Sequence, residues 1–289
     1  MSDSTGHVPR RPPWSEIKAR LENSGFRPSR ALGQNFLVDE NMLRAIARAA
    51  ELMPGDLVVE VGPGCGVLTA HLVEHGARVI AVELDPRLFA FARDLWGELA
   101  IDWIEGDALA GKHALNPELL QRLAGAGAWK LVSNLPYSAG TPILVAASRL
   151  EQPPLSATVL LQDDLAERIC AAPGTREWGA VSARLQACYL ARKLRLVGPQ
   201  LFWPRPTVDS ALVRLDLRPT RPNSAELAQL DRLVGCLFEQ RRKTVLNRLE
   251  SFFGQRARAA AACAALGIDP RARPEQLSVE DLVGLVRRG

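Results

Sequence analysis

Acidic residues and a glycine-rich turn follow three successive apolar runs in the first half of the chain. Residues 62–66 read Gly-Pro-Gly-Cys-Gly, and glycine there allows a sharp turn and lets a ligand lie against bare main chain. Glu83 follows the second run, where a carboxylate can accept hydrogen bonds from both hydroxyls of a ribose. Asp107 follows the third run and can accept a hydrogen bond from the exocyclic amine of adenine. Singly, each suits an ordinary turn or a solvated carboxylate, but their order at successive strand ends predicts a nucleoside site.

The glycine-rich turn lacks the signatures of two well-known nucleotide-binding loops. A dinucleotide fingerprint, G-x-G-x-x-G, that began at Gly62 would need glycine where Val67 stands. One that began at Gly64 would need glycine where Thr69 stands, and the lysine of a P-loop is missing as well. The sequence therefore favours a nucleoside ligand outside these two classes.

A fourth apolar run ends in Asn134-Leu135-Pro136-Tyr137, whose residue types suit a reaction at the exocyclic amine of a base. The N6 lone pair of adenine is delocalised into the ring, which makes it a poor nucleophile. The side-chain oxygen of Asn134 and the carbonyl of Leu135 can accept hydrogen bonds from this amine and so aim its lone pair at an electrophile. Pro136 fixes the turn, and Tyr137 offers a face on which an extruded base can stack. In isolation the four residues would more often form an ordinary turn with a packed tyrosine.

A second aromatic candidate lies in the loop segment Phe-Trp-Pro-Arg-Pro at residues 202–206. Phe202 is predicted to provide a second stacking face for the base. Exposed aromatic residues beside prolines can equally pack over a sheet, and for Trp203 this second interpretation is favoured.

These residues require a scaffold that brings several strand ends together. Short apolar, β-branched runs alternate with segments of helical periodicity, which predicts a parallel, doubly wound α/β sheet. Ligands of such sheets bind outside the carboxyl ends of the strands, where the candidate residues are expected. The predicted strands lie at about 57–62, 78–84, 101–109 (with its exit loop), 129–137 and 157–162, and the predicted helices at about 15–23, 40–52, 67–75, 86–98 and 163–171.

The C-terminal part of the chain has a different pattern. A proline-rich linker at 217–224 precedes it, and no strand signal follows. Ser278 with Asp281 forms a capping-box pattern before a last helix, so this part is predicted to be a small all-helical domain. Six apolar residues share one helical face there: Leu227, Leu230, Leu233, Val234, Leu237 and Phe238.

The composition excludes several classes of protein. With 47% hydrophobic and 24% charged residues, the 289-residue chain is an ordinary globular protein and not a disordered or fibrous one. No apolar run approaches the roughly 18 residues of a membrane helix, and the N-terminus has no secretory signal. The five cysteines form no C-x-x-C pair, so we expect no disulfide framework, no metal site and a cytoplasmic location. The net charge of +4 is compatible with nucleic acid binding but does not require it.

Together these motifs look like those of a class I S-adenosylmethionine-dependent methyltransferase. More narrowly, the chain resembles the ribosomal RNA adenine N6,N6-dimethyltransferase family over about residues 27–289. The segment at 32–39 looks like the family's cofactor-covering segment, and two others look like signatures of its C-terminal domain. The segments that carry the narrower resemblance are Leu-Gly-Gln-Asn-Phe-Leu-Val-Asp at 32–39, Val-Asp-Ser-Ala at 208–211, Phe-Glu-Gln-Arg-Arg-Lys-Thr at 238–244 and Gly-Ile-Asp-Pro at 267–270.

The resemblance implies S-adenosylmethionine as the cofactor and gives roles to individual residues. Glu83 would contact the ribose of the cofactor, Asp107 its adenine and Gly62 its methionine end, while Asn134 would lie between the cofactor and the target amine. The full set of cofactor-binding residues would be Asn35, Leu37, Gly62, Gly64, Glu83, Asp107 and Asn134. The residues acting on the base would be Asn134, Leu135, Pro136, Tyr137 and Phe202.

The resemblance also implies a domain organisation. The sheet would have seven strands, mostly parallel, with an antiparallel last hairpin. Residues 1–26 would form a flexible leader and a short helix, 27–219 the methyltransferase domain and 220–289 a helical domain that contacts RNA. The basic residues expected to hold RNA, most of them projecting together from one helix, are Arg241, Arg242, Lys243 and Arg248.

The function implied is dimethylation of the N6 amines of two adjacent adenines near the 3′ end of 16S rRNA in the immature 30S particle. The partner would be this rRNA within the small subunit or its precursor, and the protein would act as a monomer. The alternatives are a 23S rRNA adenine methyltransferase of the macrolide-resistance type and a ribosome-assembly factor with reduced catalysis. The C-terminal signatures and the segment at 32–39 favour the first function.

Three segments depart from the family pattern. Ser-Ala-Gly at 138–140 stands where Asn-Ile-Ser is usual, which alters the lip of the expected base pocket. Gln-Asp-Asp at 162–164 and Thr207 stand where lysines are common, so positive charge is lost from the expected RNA-facing side. These changes affect the expected substrate contacts and leave the expected cofactor contacts in place.

Overall fold

A computed structural model of the chain describes residues 11–29, 32–111, 114–137 and 139–288, so residues 1–10 of the predicted leader lie outside the described residues. The strands are β1 (Phe36–Leu37), β2 (Leu57–Val61), β3 (Arg78–Glu83), β4 (Ile101–Glu105), β5 (Trp129–Asn134), β6 (Ser156–Gln162), β7 (Tyr189–Val197), β8 (Phe202–Trp203) and β9 (Ser210–Leu217). The α-helices are α1 (Trp14–Asn23), α2 (Glu40–Ala49), α3 (Val67–Glu74), α4 (Pro86–Leu95), α5 (Pro117–Leu123), α6 (Gly140–Ser148), α7 (Asp163–Cys170), α8 (Ala180–Gln186), α9 (Ser224–Glu239), α10 (Val245–Phe253), α11 (Arg256–Leu266) and α12 (Val279–Arg288).

The main sheet of the described chain has seven strands in the order β4-β3-β2-β5-β6-β9-β7. The first five are parallel neighbours, while β9 runs antiparallel to both β6 and β7. Both the predicted α/β class and the antiparallel end are therefore confirmed. The chain goes from β2 outward through β3 to β4, and from β5 outward on the other side. The strand order thus reverses between β2 and β5, which is the point where open α/β sheets bind ligands.

The strands around this reversal are buried because their residues are apolar on both faces. Every residue of β2 is buried, as are five of the six residues of β3, since helices cover both sides of the sheet. The helices that follow begin at side-chain caps: Asp85 accepts a hydrogen bond from the Arg87 amide at α4, and Asn116 accepts one from Glu118 at α5. This local chemistry sets where each strand ends, and so places the residues of the site.

The C-terminal helices pack onto the sheet domain through a shared hydrophobic core. The buried residues of α9, such as Leu230 and Leu237, belong to the same contiguous cluster as those of β5 and β6. Asp231 of α9 also pairs with Arg149 at 2.8 Å and with Arg184 at 3.2 Å, both from the sheet domain. The all-helical character predicted for this part is confirmed, as is the Ser278–Asp281 capping box. The division into domains at residue 220 stays a prediction.

Candidate active site

A cavity of about 260 Å³ opens at the carboxyl ends of the central strands, between β2 and β5. It brings together residues that lie more than a hundred positions apart in the chain, from Leu32 to Ile143. The predicted residues that line it are Asn35, Leu37, Gly62, Gly64, Glu83, Asp107, Asn134, Leu135, Pro136 and Tyr137. Of the residues predicted to act on cofactor or base, Phe202 is the one that does not line it.

The glycine-rich turn favours glycine at positions 62 and 64 because of both the backbone angle and the close packing there. Gly62 and Gly64 have φ angles of 67° and 60°, in the left-handed region where other residues are strained. A Cβ atom at Gly62 would lie 3.1 Å from Pro136, and one at Gly64 would lie 2.8 Å from the ring of Phe36. The turn therefore packs directly against the Asn134–Tyr137 segment on one side and the 32–37 segment on the other, and both segments line the cavity.

Glu83 is held by the main chain at the end of β3. Its Oε2 accepts a hydrogen bond from the Gly64 amide at 2.9 Å, and its Oε1 accepts one from the Asp85 amide at 2.9 Å. Each carboxylate oxygen keeps a lone pair for a further donor. Burial raises the pKa of Glu83 above its ordinary value, while the two amides act in the opposite direction. The carboxylate is thus fixed to the glycine-rich turn in an orientation that can accept ligand hydroxyls.

Asp107 is exposed at the rim of the cavity and also shapes the turn after β4. Its Oδ1 accepts a hydrogen bond from the Leu109 amide at 2.9 Å, and its carbonyl accepts one from Asn116 Nδ2 at 2.7 Å. Asp107 therefore forms a turn and also lines the cavity, so its position is compatible with both roles considered from the sequence.

The side-chain amide of Asn134 has one orientation in the structure. Its Nδ2 donates to the carbonyl of Asn35 at 3.1 Å, which leaves the Oδ1 atom available as an acceptor. The Leu135 amide donates to the Leu160 carbonyl at 3.0 Å and so fixes the segment to β6. The side-chain oxygen of Asn134 is therefore oriented by the segment that was predicted to cover the cofactor.

That covering segment is anchored to the turn after β3 by a glutamine. Gln34 Nε2 donates to Asp85 Oδ2 at 3.0 Å, while Gln34 Oε1 accepts from the Ser29 amide at 2.7 Å. Because the Asp85 amide also donates to Glu83, the segment, the turn and the Glu83 carboxylate form one hydrogen-bonded network.

The prediction that Phe202 offers a stacking face is wrong for this conformation. Phe202 is 4% exposed and packs in the core beside Leu37, because the two-residue strand β8 pairs with β1 and turns Phe202 inward. The same alternation turns Trp203 to the other face, where it stacks on Phe36 with ring centroids 6.0 Å apart. The interpretation of Trp203 as a packing residue is confirmed.

Sequence reasoning missed Glu60, which is 2% exposed in the middle of β2 and lines the cavity. Its Oε2 has no hydrogen-bond partner within the described residues. Burial raises the pKa of Glu60 to about 8, and the nearby charge of Glu83 acts in the same direction. The available signal was a carboxylate inside an otherwise apolar strand two residues before the glycine-rich turn. A buried acid with an unpartnered oxygen is suited to a cationic group of a ligand.

The basic residues predicted to hold RNA do not project from one helix. Helix α9 ends at Glu239, so Arg241, Arg242 and Lys243 lie in the turn that follows. The guanidinium of Arg241 donates to the carbonyls of Arg176 and Trp178, at 3.2 and 2.8 Å. All three residues are exposed in this turn.

Arg248 has a structural environment that differs from the one predicted. It lies on α10, is 8% exposed, and its guanidinium donates to the Cys236 carbonyl and pairs with Glu239 at 2.9 Å. The prediction that most of this charge projects together from one helix is therefore wrong, because α9 ends at Glu239. Three exposed cations lie in the turn, of which Arg241 also bonds to two carbonyls, whereas Arg248 is buried on α10.

The fold and the cavity together define a class I methyltransferase fold, with a glycine-rich turn and acidic strand ends at the strand-order reversal. A family model described as ribosomal RNA adenine dimethylase matches residues 25–288. The chain belongs to the ribosomal RNA adenine dimethylase family.

Similar relatives include bacterial proteins named ribosomal RNA small subunit methyltransferase A. The protein of Leifsonia xyli is 40% identical over 95% of this chain and 97% of its own length. The protein of Thermobifida fusca is 37% identical over 92% of each chain. Among solved structures, the 23S rRNA methyltransferase ErmE is 25% identical, covers 88% of this chain and 98% of its own, and has a TM-score of 0.66. The higher identity to small-subunit enzymes favours the first of the functions predicted from sequence.

No helix in the described ranges is both long and apolar enough to cross a membrane.

Proposed function

We propose that this protein uses S-adenosylmethionine to dimethylate the N6 amines of two adjacent adenines near the 3′ end of 16S rRNA in the immature 30S particle. The observation that carries the proposal is the orientation of Asn134, whose side-chain oxygen is left free at the cavity by the bond from its Nδ2 to Asn35. An acceptor held there suits an amine that must be aligned before it can react.

The cavity fits the proposed cofactor at both ends. Glu83 offers a fixed acceptor for the ribose hydroxyls, and Asp107 an acceptor for the adenine amine. The unpartnered Oε2 of Glu60 supplies a buried acid for the ammonium of the methionine end. Gly62 and Gly64 let the turn pack closely against Pro136 and Phe36 of the cavity wall, since a Cβ there would lie 3.1 Å and 2.8 Å from these side chains. When bound, the cofactor supplies a methyl group on a sulfonium, which is already a good leaving group.

The protein's own residues would then align the target amine. Asn134 Oδ1 and the Leu135 carbonyl accept the two amine hydrogens and favour a pyramidal nitrogen whose lone pair points along the line of transfer. Tyr137 stacks against the extruded base, and Pro136 holds the turn between them. No strong general base is required, because the amine proton can leave after the new bond has formed.

The proposed function is tested by methyl transfer from labelled S-adenosylmethionine to purified particles. Immature 30S particles that lack the modification should accept label into 16S rRNA, whereas 50S particles should accept none. Label in 23S rRNA would instead support the macrolide-resistance type, and cofactor binding without transfer to either particle would support an assembly factor with reduced catalysis.

Replacing Glu60 by glutamine should abolish the release of a proton that accompanies cofactor binding. At pH 7 the buried acid is mostly protonated, because its pKa is about 8, so binding of the cofactor ammonium should release close to one proton in the wild type and none in Glu60→Gln. Calorimetry in buffers of different ionisation enthalpy measures this release. Equal proton release by the two proteins would contradict the assigned role.

The same substitution should stabilise the ligand-free protein at alkaline pH. The pKa of Glu60 rises from 4.5 in the unfolded chain to about 8 in the folded protein. Its contribution to the free energy of unfolding is therefore complete below pH 4.5 and is lost as the pH rises toward about 8. Glu60→Gln removes this loss, which is on the order of a few kcal/mol above pH 8. Denaturant unfolding of both proteins at pH 5 and pH 9 should show a much larger difference at the higher pH.

RNA capture should depend on Arg242 and Lys243, exposed cations of the turn after α9. Arg242→Ala with Lys243→Ala should flatten the log–log salt dependence of 30S binding by somewhat less than one unit for each lost phosphate contact. A matched control removes Arg48 and Arg78, two exposed arginines near the amino ends of the strands, away from the cavity. If both double variants show the parental slope, phosphate is held elsewhere.

A further inference from the structure

Ser210 is a buried hydroxyl that contacts the proposed base-stacking residue. It is the first residue of β9 and is 0% exposed, and its Oγ lies 2.9 Å from the hydroxyl of Tyr137, which is 73 positions away in the chain. Buried hydroxyls in proteins are nearly always hydrogen-bonded, and the tyrosine provides this partner. The contact joins the end of the antiparallel hairpin to the segment that would hold the target base.

The sheet fixes Ser210 on both sides. In the strand register it stands opposite Gln162 of β6 and opposite Val197 of β7. The adjacent Asp209 carbonyl accepts a hydrogen bond from the Asp163 amide at 3.0 Å, which ties the two strands together at this edge. Ser210 is therefore a rigid point from which to hold a side chain at the rim of the cavity.

We propose that Ser210 is a positioning residue, whose hydrogen bond holds the ring of Tyr137 ready to stack against the target adenine. The inference rests on the proposed function. A tyrosine anchored only by its backbone can swing about the Cα–Cβ bond, whereas a bond at its hydroxyl fixes both ends of the ring. The phenolic O–H also lies in the plane of the ring, so the bond favours one orientation of the stacking face.

Holding the ring in place before RNA arrives lowers the entropy that must be lost when the base is captured. The benefit should therefore appear in reactions with RNA and not in cofactor binding, because the cofactor contacts described above do not include the Tyr137 hydroxyl. Removing either hydroxyl breaks the same hydrogen bond. Once one hydroxyl has been removed, removing the other should therefore lower the methylation rate no further.

The test is a double-mutant cycle of Tyr137→Phe and Ser210→Ala, both of which leave the aromatic ring in place. Single-turnover methylation of immature 30S particles at subsaturating enzyme should fall about three- to tenfold in each single variant, the effect of one hydrogen bond. The double variant should be no slower than the slower single variant. Affinity for S-adenosylmethionine should stay within twofold of the wild type throughout.

Ser156→Ala is the matched control, since Ser156 is a buried serine at the far end of β6 and should leave the rate unchanged. Multiplicative losses in the double variant, or a wild-type rate in Ser210→Ala, would overturn the proposal. If Ser210→Ala does not fold, Tyr137→Phe alone decides, because a wild-type rate in that variant would exclude a role for the bond. A wild-type protein that methylates no rRNA would overturn the proposed function instead.

Discussion

Asn134→Ala should reduce single-turnover methyl transfer by on the order of 10²–10³-fold, the usual cost of removing one positioned hydrogen-bonding group from a reacting centre. The reason is specific to its geometry: the Nδ2 atom is occupied by the Asn35 carbonyl, so the Oδ1 atom is the part of the side chain that can meet the target amine. Binding of the 30S particle should change little. The measurement is a rapid-quench assay with enzyme and cofactor in excess over particles.

Two further variants make this result interpretable. Asn134→Asp keeps an acceptor oxygen but loses the donor to Asn35, so its rate should lie between those of the wild type and the alanine variant. Tyr137→Ala should weaken both base capture and turnover, because it removes the stacking face itself. A near-normal single-turnover rate in Asn134→Ala would show that the amine is aligned by other groups.

Glu83→Ala should weaken binding of S-adenosylmethionine by about 1.5–3 kcal/mol, which corresponds to about a ten- to hundredfold rise in Kd. It removes a charged acceptor for the ribose and also the carboxylate that bonds the amides of Gly64 and Asp85. Calorimetric titration of the purified protein measures the change directly.

The control for Glu83→Ala is Asp107→Asn, at the exposed rim of the same cavity, where solvent makes the expected loss smaller. The pH dependence gives an independent check. Burial raises the pKa of Glu83. When the solution is acidified, the affinity of the wild type should therefore begin to fall at a higher pH than it would if Glu83 had the pKa of an ordinary glutamate. Unchanged affinity in Glu83→Ala would mean that the ribose is held by other residues.

The central strands and their end residues could be predicted because burial on both faces leaves a strong signal in the sequence. β2 and β3 are short, apolar and β-branched, and the structure places them within a residue or two of the predicted bounds. Glu83, Asp107 and Asn134 follow such strands, so the topology of a parallel sheet alone brings them to one edge.

Elements defined by distant pairing carry no such signal. β1 and β8 have two residues each and exist because Phe36 pairs with Trp203, so the inward turn of Phe202 could not be read from its neighbours. β7 is an exposed edge strand rich in basic residues, without the apolar alternation that marks a half-buried strand. The end of α9 at Glu239 is not marked by glycine or proline, and this is why Arg248 was placed with the exposed cations.

The most direct test of the proposed activity is mass analysis of the 3′ segment of 16S rRNA after reaction of immature 30S particles with the protein and S-adenosylmethionine. The wild type should produce N6,N6-dimethyladenosine at two adjacent positions, and Asn134→Ala should produce little or none in the same time. Unmodified adenines with the wild-type protein, or methyl groups at atoms other than N6, would contradict the proposed alignment of an exocyclic amine by Asn134 and Leu135.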